Sequence, residues 1–133
     1  MSADDRPVVV VIPGDLHLTE AGLPNHRAAL WAVVEANDLI RPDFVQFIGD
    51  NVQDGTAGQF ALFNELSSRL RGPWYALVGD HDAQGDPEAT AFREHVDVTC
   101  GAVSLRGFRF VRLLIVRKPK RGVLAIRSHP KTS

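Results

Sequence analysis

With 133 residues the chain is long enough for one domain with a sizeable core, and its 44% hydrophobic and 23% charged residues are those of an ordinary soluble globular protein. The formal net charge of −1 and the lack of any apolar run of membrane-spanning length exclude an integral membrane protein built on helices. A single cysteine, Cys100, excludes an intrachain disulfide and fits a reducing, cytoplasmic setting, and Met1 to Pro7, which carries Asp4 and Asp5, does not read as a signal peptide.

The first apolar run, Val8 to Pro13, reads as a short buried strand. A loop with Gly22 and Pro24 follows. Asn25 can cap a helix over Arg27 to Ile40, with Leu30, Val33 and Val34 on one face and Trp31 beside them in the core. Arg41-Pro42-Asp43 ends that helix, and Phe44 to Ile48 is the second strand. Thr56 is a suitable N-cap for a helix carrying Phe60, Phe63, Leu66 and Leu70, which Gly72-Pro73 stops. Trp74 to Val78 is the third strand. Asp86-Pro87-Glu88 reads as a cap, a first-turn proline and a first-turn acid, opening a short helix to about His95. His26 and His95 are expected at the surface, Phe60 and Phe63 in the core, and Cys100 as a small buried hydrophobe.

The first 95 residues therefore read β-α-β-α-β-α, an α/β pattern with parallel strands joined by helical crossovers. From Ala102 the pattern changes. Ala102 to Leu105 and Phe108 to Val116 read as a hairpin around Arg106-Gly107, followed by a basic turn over Arg117 to Arg121 and a strand over Val123 to Ile126. Charge is divided along the same line. All sixteen acids lie at or before Asp97, and nine of the fifteen Lys and Arg lie at or after Arg106.

Each of the three strands runs into Gly-Asp: Gly14-Asp15, Gly49-Asp50 and Gly79-Asp80. In an open parallel sheet those three carboxylates meet at the carboxyl edge, where such sheets bind ligands. An Asp after a strand and a glycine is ordinarily a cap or a turn former. Three at one topological position, two of them beside His17 and His81, point instead to a divalent metal site. Asp15 and His17, two apart on an extended segment, would face one side and grip one ion. Asp50 could bridge to a second ion and Asp80 could ligate it. Mn, Fe or Zn would suit these oxygen and nitrogen donors. His81, next to a ligand in sequence, is better placed to contact a phosphate or protonate a leaving group, with Asp82 orienting its imidazole.

Gly14-Asp15-Leu16-His17, Gly49-Asp50-Asn51-Val52 and Gly79-Asp80-His81-Asp82 resemble, in order and spacing, the first three motifs of the calcineurin-like metallophosphoesterases. The resemblance implies an αββα sandwich of which residues 8–116 are the core, with residues 117–133 a basic tail within one domain spanning 1–133. It implies two divalent ions, Asp15 and His17 on the first, Asp50 bridging, Asp80 on the second, and His81 catalytic. The implied activity is hydrolysis of phosphate mono- or diesters by a metal-bound hydroxide.

The chain departs from the family pattern twice. Asp80 stands where the family has Asn, and the closing Gly-His-x-His is absent, with only His129 in a position to serve as a late ligand. The expectation is a second sheet left incomplete, with the acid-free stretch from Arg106 a truncated or frame-shifted remnant rather than a nucleic-acid patch. Neither a nucleic-acid nor a membrane partner is expected, and an open sheet edge could pair with a second copy. The alternative is a non-catalytic interaction module on the same scaffold.

Overall fold

The computed structural model describes residues 5–118 and 123–127. Three strands, β1 (Val10–Val11), β2 (Phe44–Phe47) and β3 (Trp74–Ala76), form a parallel sheet in the order β1-β2-β3. Val10 and Val11 stand against Phe44 and Val45, and Val45 to Phe47 stand against Trp74 to Ala76. The fold is thus the mixed α/β, parallel-sheet architecture that the alternation of apolar runs and helical stretches implies. The strands are shorter than the apolar runs, yet backbone pairing continues past them. The Asp43 N–H donates to the Val9 carbonyl at 2.7 Å, and the Ile48 N–H to the Pro13 carbonyl at 3.0 Å. Pro13 has no N–H to return, so a regular ladder cannot extend there.

Helix α1 (Pro24–Glu35) starts earlier than its sequence suggests. Pro24 takes the first helical position, where a missing N–H costs nothing, and Asn25 lies inside the helix, with Leu23 at the N-cap. The helix widens into a π-type turn over Ala36–Ile40, and Arg41 closes it in a left-handed conformation before Pro42. Its buried side carries Ala29, Val33 and, in the turn that follows, Ala36, and Ala29 and Val33 cluster with Leu66. Trp31, expected in the core, is 67% exposed instead. Two residues along a helix turn about 200°, so a residue between Ala29 and Val33 must point away from the side they bury. His26, expected at the surface, is buried.

Helix α2 (Ala57–Ser67) is capped as its sequence indicates: the Thr56 hydroxyl accepts from the Gln59 N–H at 3.2 Å. Its Phe60 and Phe63 are fully buried. The Phe63 ring meets Phe47 and Trp74 edge-to-face, with centroids 4.9 and 5.7 Å apart, which fixes α2 against β2 and β3.

Helix α3 (Thr90–His95) is shorter than expected, because Pro87-Glu88 lie in a turn before it and Ala89 is left-handed. Asp86 still serves the helix from outside: its carboxylate accepts the Ala91 N–H at 2.9 Å. Burial pushes the Asp86 pKa up, but the donors at Ala91 and Thr90 outweigh this and hold it below the ordinary carboxylate range.

Strands β4 (Gly101–Leu105) and β5 (Phe108–Arg112) form the expected hairpin. Its two loop residues, Arg106 and Gly107, have φ of 44° and 86°, as a two-residue turn matching strand twist requires. The second arm breaks at Leu113, and β6 (Leu114–Lys118) pairs antiparallel with β7 (Val123–Arg127). Arg106 does not stand free in solvent. Its side chain is 9% exposed, lies 2.7 Å from the Asp43 carboxylate and donates to the carbonyls of Arg6 and Pro7. Cys100 is buried, as expected of a small hydrophobe.

Candidate metal centre

The carboxyl edge of the sheet gathers three loops. The first two run side by side: the Asp15 N–H donates to the Gly49 carbonyl at 3.2 Å, His17 N–H to Asp50 at 2.9 Å and Leu18 N–H to Asn51 at 3.1 Å. The parallel pairing of β1 and β2 thereby resumes one loop further on. Between the two stretches the chain takes sharp turns, and Asp15, His17 and Asp50 have φ of 55°, 49° and 52°. Left-handed backbone costs a non-glycine residue about 1–2 kcal/mol, least for Asp, Asn and His. Three such residues among the five expected metal ligands concentrate strain where a site would use it. Asp15 and His17 therefore share a side through turn geometry and not, as expected, through extended-strand alternation. The Asp15 Oδ1 lies 3.8 Å from the His17 Nε2.

The third loop enters by a glycine contact. Gly49 (φ 109°) and Gly79 pack backbone to backbone, and a Cβ on Gly49 would stand 3.2 Å from the Gly79 Cα. That approach brings the Asp50 carboxylate to the loop that carries His81, whose N–H donates to Asp50 Oδ1 at 3.0 Å. The imidazoles of His17 and His81 meet edge-to-face with centroids 4.7 Å apart. One ligand atom each of His17, Asp50 and His81 lies within 4.8 Å of the others. His81 Nδ1 meets the Gln53 carbonyl at 2.8 Å, which leaves Nε2 for a ligand or substrate. The exposed Asp15 stands at the margin of this group beside His17. Asp80 is exposed and contributes no atom to it, and His129 lies outside the described residues.

Asp82 does something other than orient His81. It is 1% exposed, and its carboxylate accepts the N–H groups of Gly79 (2.9 Å), Asn51 (3.2 Å) and Val52 (3.0 Å) and the Asn51 side-chain amide (3.2 Å). Its oxygens are committed to tying the third loop to the second, while His81 is held by Gln53. Burial raises the Asp82 pKa above the ordinary carboxylate range, with the Asp50 charge adding to it, although the three backbone donors act the other way. Asn51, which no motif letter distinguishes, is fully buried and also donates to the Leu77 carbonyl at 2.9 Å. No spacing signal in the sequence marks its role or that of Gln53.

The donor set suits an ion. The His17 imidazole and the carboxylates of Asp50 and Asp15 match borderline metals, and His81, whose ring lies beside that of His17, is within reach of a group held there. His17 Nδ1 is buried with no hydrogen-bond partner among the described residues, as expected of a nitrogen reserved for something other than protein. A parallel α/β sheet with clustered Asp and His at its carboxyl edge is an arrangement suited to metal-dependent hydrolysis. The sequence model of the calcineurin-like phosphoesterases matches residues 8–119, and the chain belongs to that family, one of metal-dependent phosphoesterases. Over 82 residues it is 32% identical to a protein of Arcobacter nitrofigilis named Probable glycerophosphodiester phosphodiesterase GpdQ, an alignment covering 56% of this chain and 30% of the relative. The chain thus spans less than a third of that relative's length. No helix of the described residues is long and apolar enough to cross a membrane.

Proposed function

We propose that this chain carries the metal and phosphate site of a phosphoesterase acting on phosphate mono- or diesters, with diesters favoured by the name of the Arcobacter relative. The observation that carries the reading is the convergence of His17, Asp50 and His81 from three separate loops, at the sheet edge where such chemistry is housed. Asp15 and His17 would hold one divalent ion, Asp50 would bridge to a second, and Asp80, exposed at the rim, would reach the second. Mn, Fe and Zn fit the donors. Bound there, the ions would supply Lewis acidity toward phosphate oxygens and a nucleophile at neutral pH.

The protein's own residues do the rest. His81 Nδ1–H donates to the Gln53 carbonyl, so Nε2 is the ring nitrogen left for the phosphate, and it can pass a proton to the leaving oxygen only when the ring carries both protons. Asp82 keeps the His81 loop against the Asp50 loop through its four N–H bonds. The one cysteine fits a reducing, cytoplasmic setting.

The test is Mn²⁺-dependent hydrolysis of bis(p-nitrophenyl) phosphate beside p-nitrophenyl phosphate. His81→Ala is expected to lower turnover by about 10²–10⁴-fold, the span for loss of a proton-transfer group, while Mn²⁺ binding persists. Loss of Mn²⁺ binding in His81→Ala would make His81 a ligand. Absence of metal-dependent hydrolysis above background in the parent would favour the interaction-module reading.

A further inference from the structure

The first turn of α1 holds the His17 loop through two side chains, Asn25 and His26. The Asn25 Nδ2 donates to the Leu16 carbonyl at 3.0 Å and to the His17 carbonyl at 2.6 Å. Its Oδ1 accepts the His26 N–H at 3.0 Å. That N–H belongs to the first helical turn and has no intrahelical acceptor, so the bond also satisfies an orphan donor. His26 is held in turn, its Nδ1 accepting the Gly22 N–H at 3.0 Å. The loop from Leu16 to Gly22 is thereby fastened at both ends to the start of the helix.

The chemistry fits an amide closely. Two carbonyl oxygens one residue apart need two donors, and a backbone N–H needs an acceptor. An amide supplies two N–H bonds from one nitrogen and an oxygen on the other side, so every polar atom of Asn25 is used. An Asp in its place could still accept from His26 but would set an anionic oxygen against two carbonyl oxygens. An Ala would leave all three groups unmet.

The two carbonyls flank the Cα of His17, the residue held at φ 49°. On the opposite side its N–H donates to the Asp50 carbonyl and the Leu18 N–H to Asn51. The peptides on both sides of His17 are thus pinned from two directions, and a left-handed residue persists only when its surroundings fix it so. We propose that Asn25 is a positioning residue for the metal centre, holding His17 in the backbone conformation that aims its imidazole at Asp50 and His81. This rests on the preceding reading that His17 binds metal, and it concerns a residue that touches neither ion nor substrate.

The experiment is an Mn²⁺ titration of the full chain by calorimetry, on parent, Asn25→Ala, Asn25→Asp and Asp43→Ala proteins, with urea unfolding of each in EDTA. Asp43 lies before β2, at the other end of the sheet from the site, and serves as the control for general destabilisation. Asn25→Ala is expected to raise the Mn²⁺ Kd by about 10–100-fold, the span for loss of an outer-shell partner. Asn25→Asp is expected to weaken binding as well, although an added negative charge by itself would tighten it. Asp43→Ala should lower the urea midpoint and leave the Kd within about threefold of parent. Near-parent Kd values for folded Asn25→Ala or for Asn25→Asp would overturn the proposal, as would equal weakening in Asp43→Ala. If the parent binds no Mn²⁺, the metal reading itself fails and the Asn25 role goes with it; if the parent binds and the Asn25 variants match it, the Asn25 role alone fails.

Discussion

Gly79 has no room for a side chain. A Cβ there would overlap the carboxylate and the amide nitrogen of Asp50. The contact is functional in its consequences, since it lets the Asp50 carboxylate reach the His81 N–H at 3.0 Å. Gly79→Ala must push the second and third loops apart, and the neighbour that would have to yield is backbone. We expect a destabilisation of about 1–3 kcal/mol, the range for overpacking, together with loss of Mn²⁺ binding. Urea unfolding with a parallel metal titration measures both. Parent-like stability and binding in Gly79→Ala would show that the loops are not packed as described. Asp82 acts at the same scale. Its nearness to His81 in sequence invites a catalytic pairing, but burial commits its oxygens to N–H groups of Asn51, Val52 and Gly79. A short motif shows which residues are adjacent in sequence and not which backbone donors lie around a carboxylate.

Among the elements, α2 anchors the core. Phe60 is fully buried, stands edge-to-face with Phe92 and stacks on the His95 ring. Phe60→Ala should cost about 3–5 kcal/mol in urea unfolding, through lost burial and the cavity left behind. A loss under 1 kcal/mol would mean that α2 is not seated there. The β4–β5 hairpin contributes differently, through Arg106. Hydrogen bonding from Arg106, then from the Val9 N–H, holds the Asp43 carboxyl below the ordinary range near about 3.9. A carboxyl whose folded pKa is depressed contributes stability above its unfolded pKa and loses it as pH falls through the folded value. Acidification below about pH 4 should therefore erode this clasp in the parent, and Asp43→Asn should flatten that part of the stability–pH curve measured by urea unfolding. An unchanged acid limb in Asp43→Asn would dismiss the clasp. The hairpin and the Thr56 cap were legible because each rests on local chemistry: a two-residue turn at Arg106-Gly107 and a hydroxyl three residues before Gln59. Trp31 and His26 were not. Which side of α1 is buried depends on the small Ala29 and on Val33, which cluster with Leu66 of α2, and hydrophobic size alone points to the wrong residues.

In the whole molecule, the alternation of apolar runs and helices dictates the parallel sheet, and Gly-Asp at each strand end dictates where the carboxylates gather. The sequence is thus explicit about the elements that bring Asp15, His17, Asp50 and His81 to one edge. It is silent on the supporting set: Asn51 and Gln53 act through amides and carbonyls whose partners are remote in the chain, and Asn25 through loop carbonyls that no local motif marks. The strained φ values at Asp15, His17 and Asp50 are likewise a product of tertiary pairing between two loops. A cleft of about 310 Å³ lined by Arg41, Pro42, Arg71 and Pro73 opens at the opposite end of the sheet, before β2 and β3, and is separate from this edge. If the three loops form a metal site, Asp50 stands at its centre. The direct measurement is an Mn²⁺ titration of the chain and of Asp50→Ala, with free Mn²⁺ followed by electron paramagnetic resonance. Saturable binding is expected, with fewer than two ions held tightly per chain, and its loss in Asp50→Ala at unchanged fold. Binding that survives Asp50→Ala undiminished, or no binding by the parent at all, would contradict that expectation.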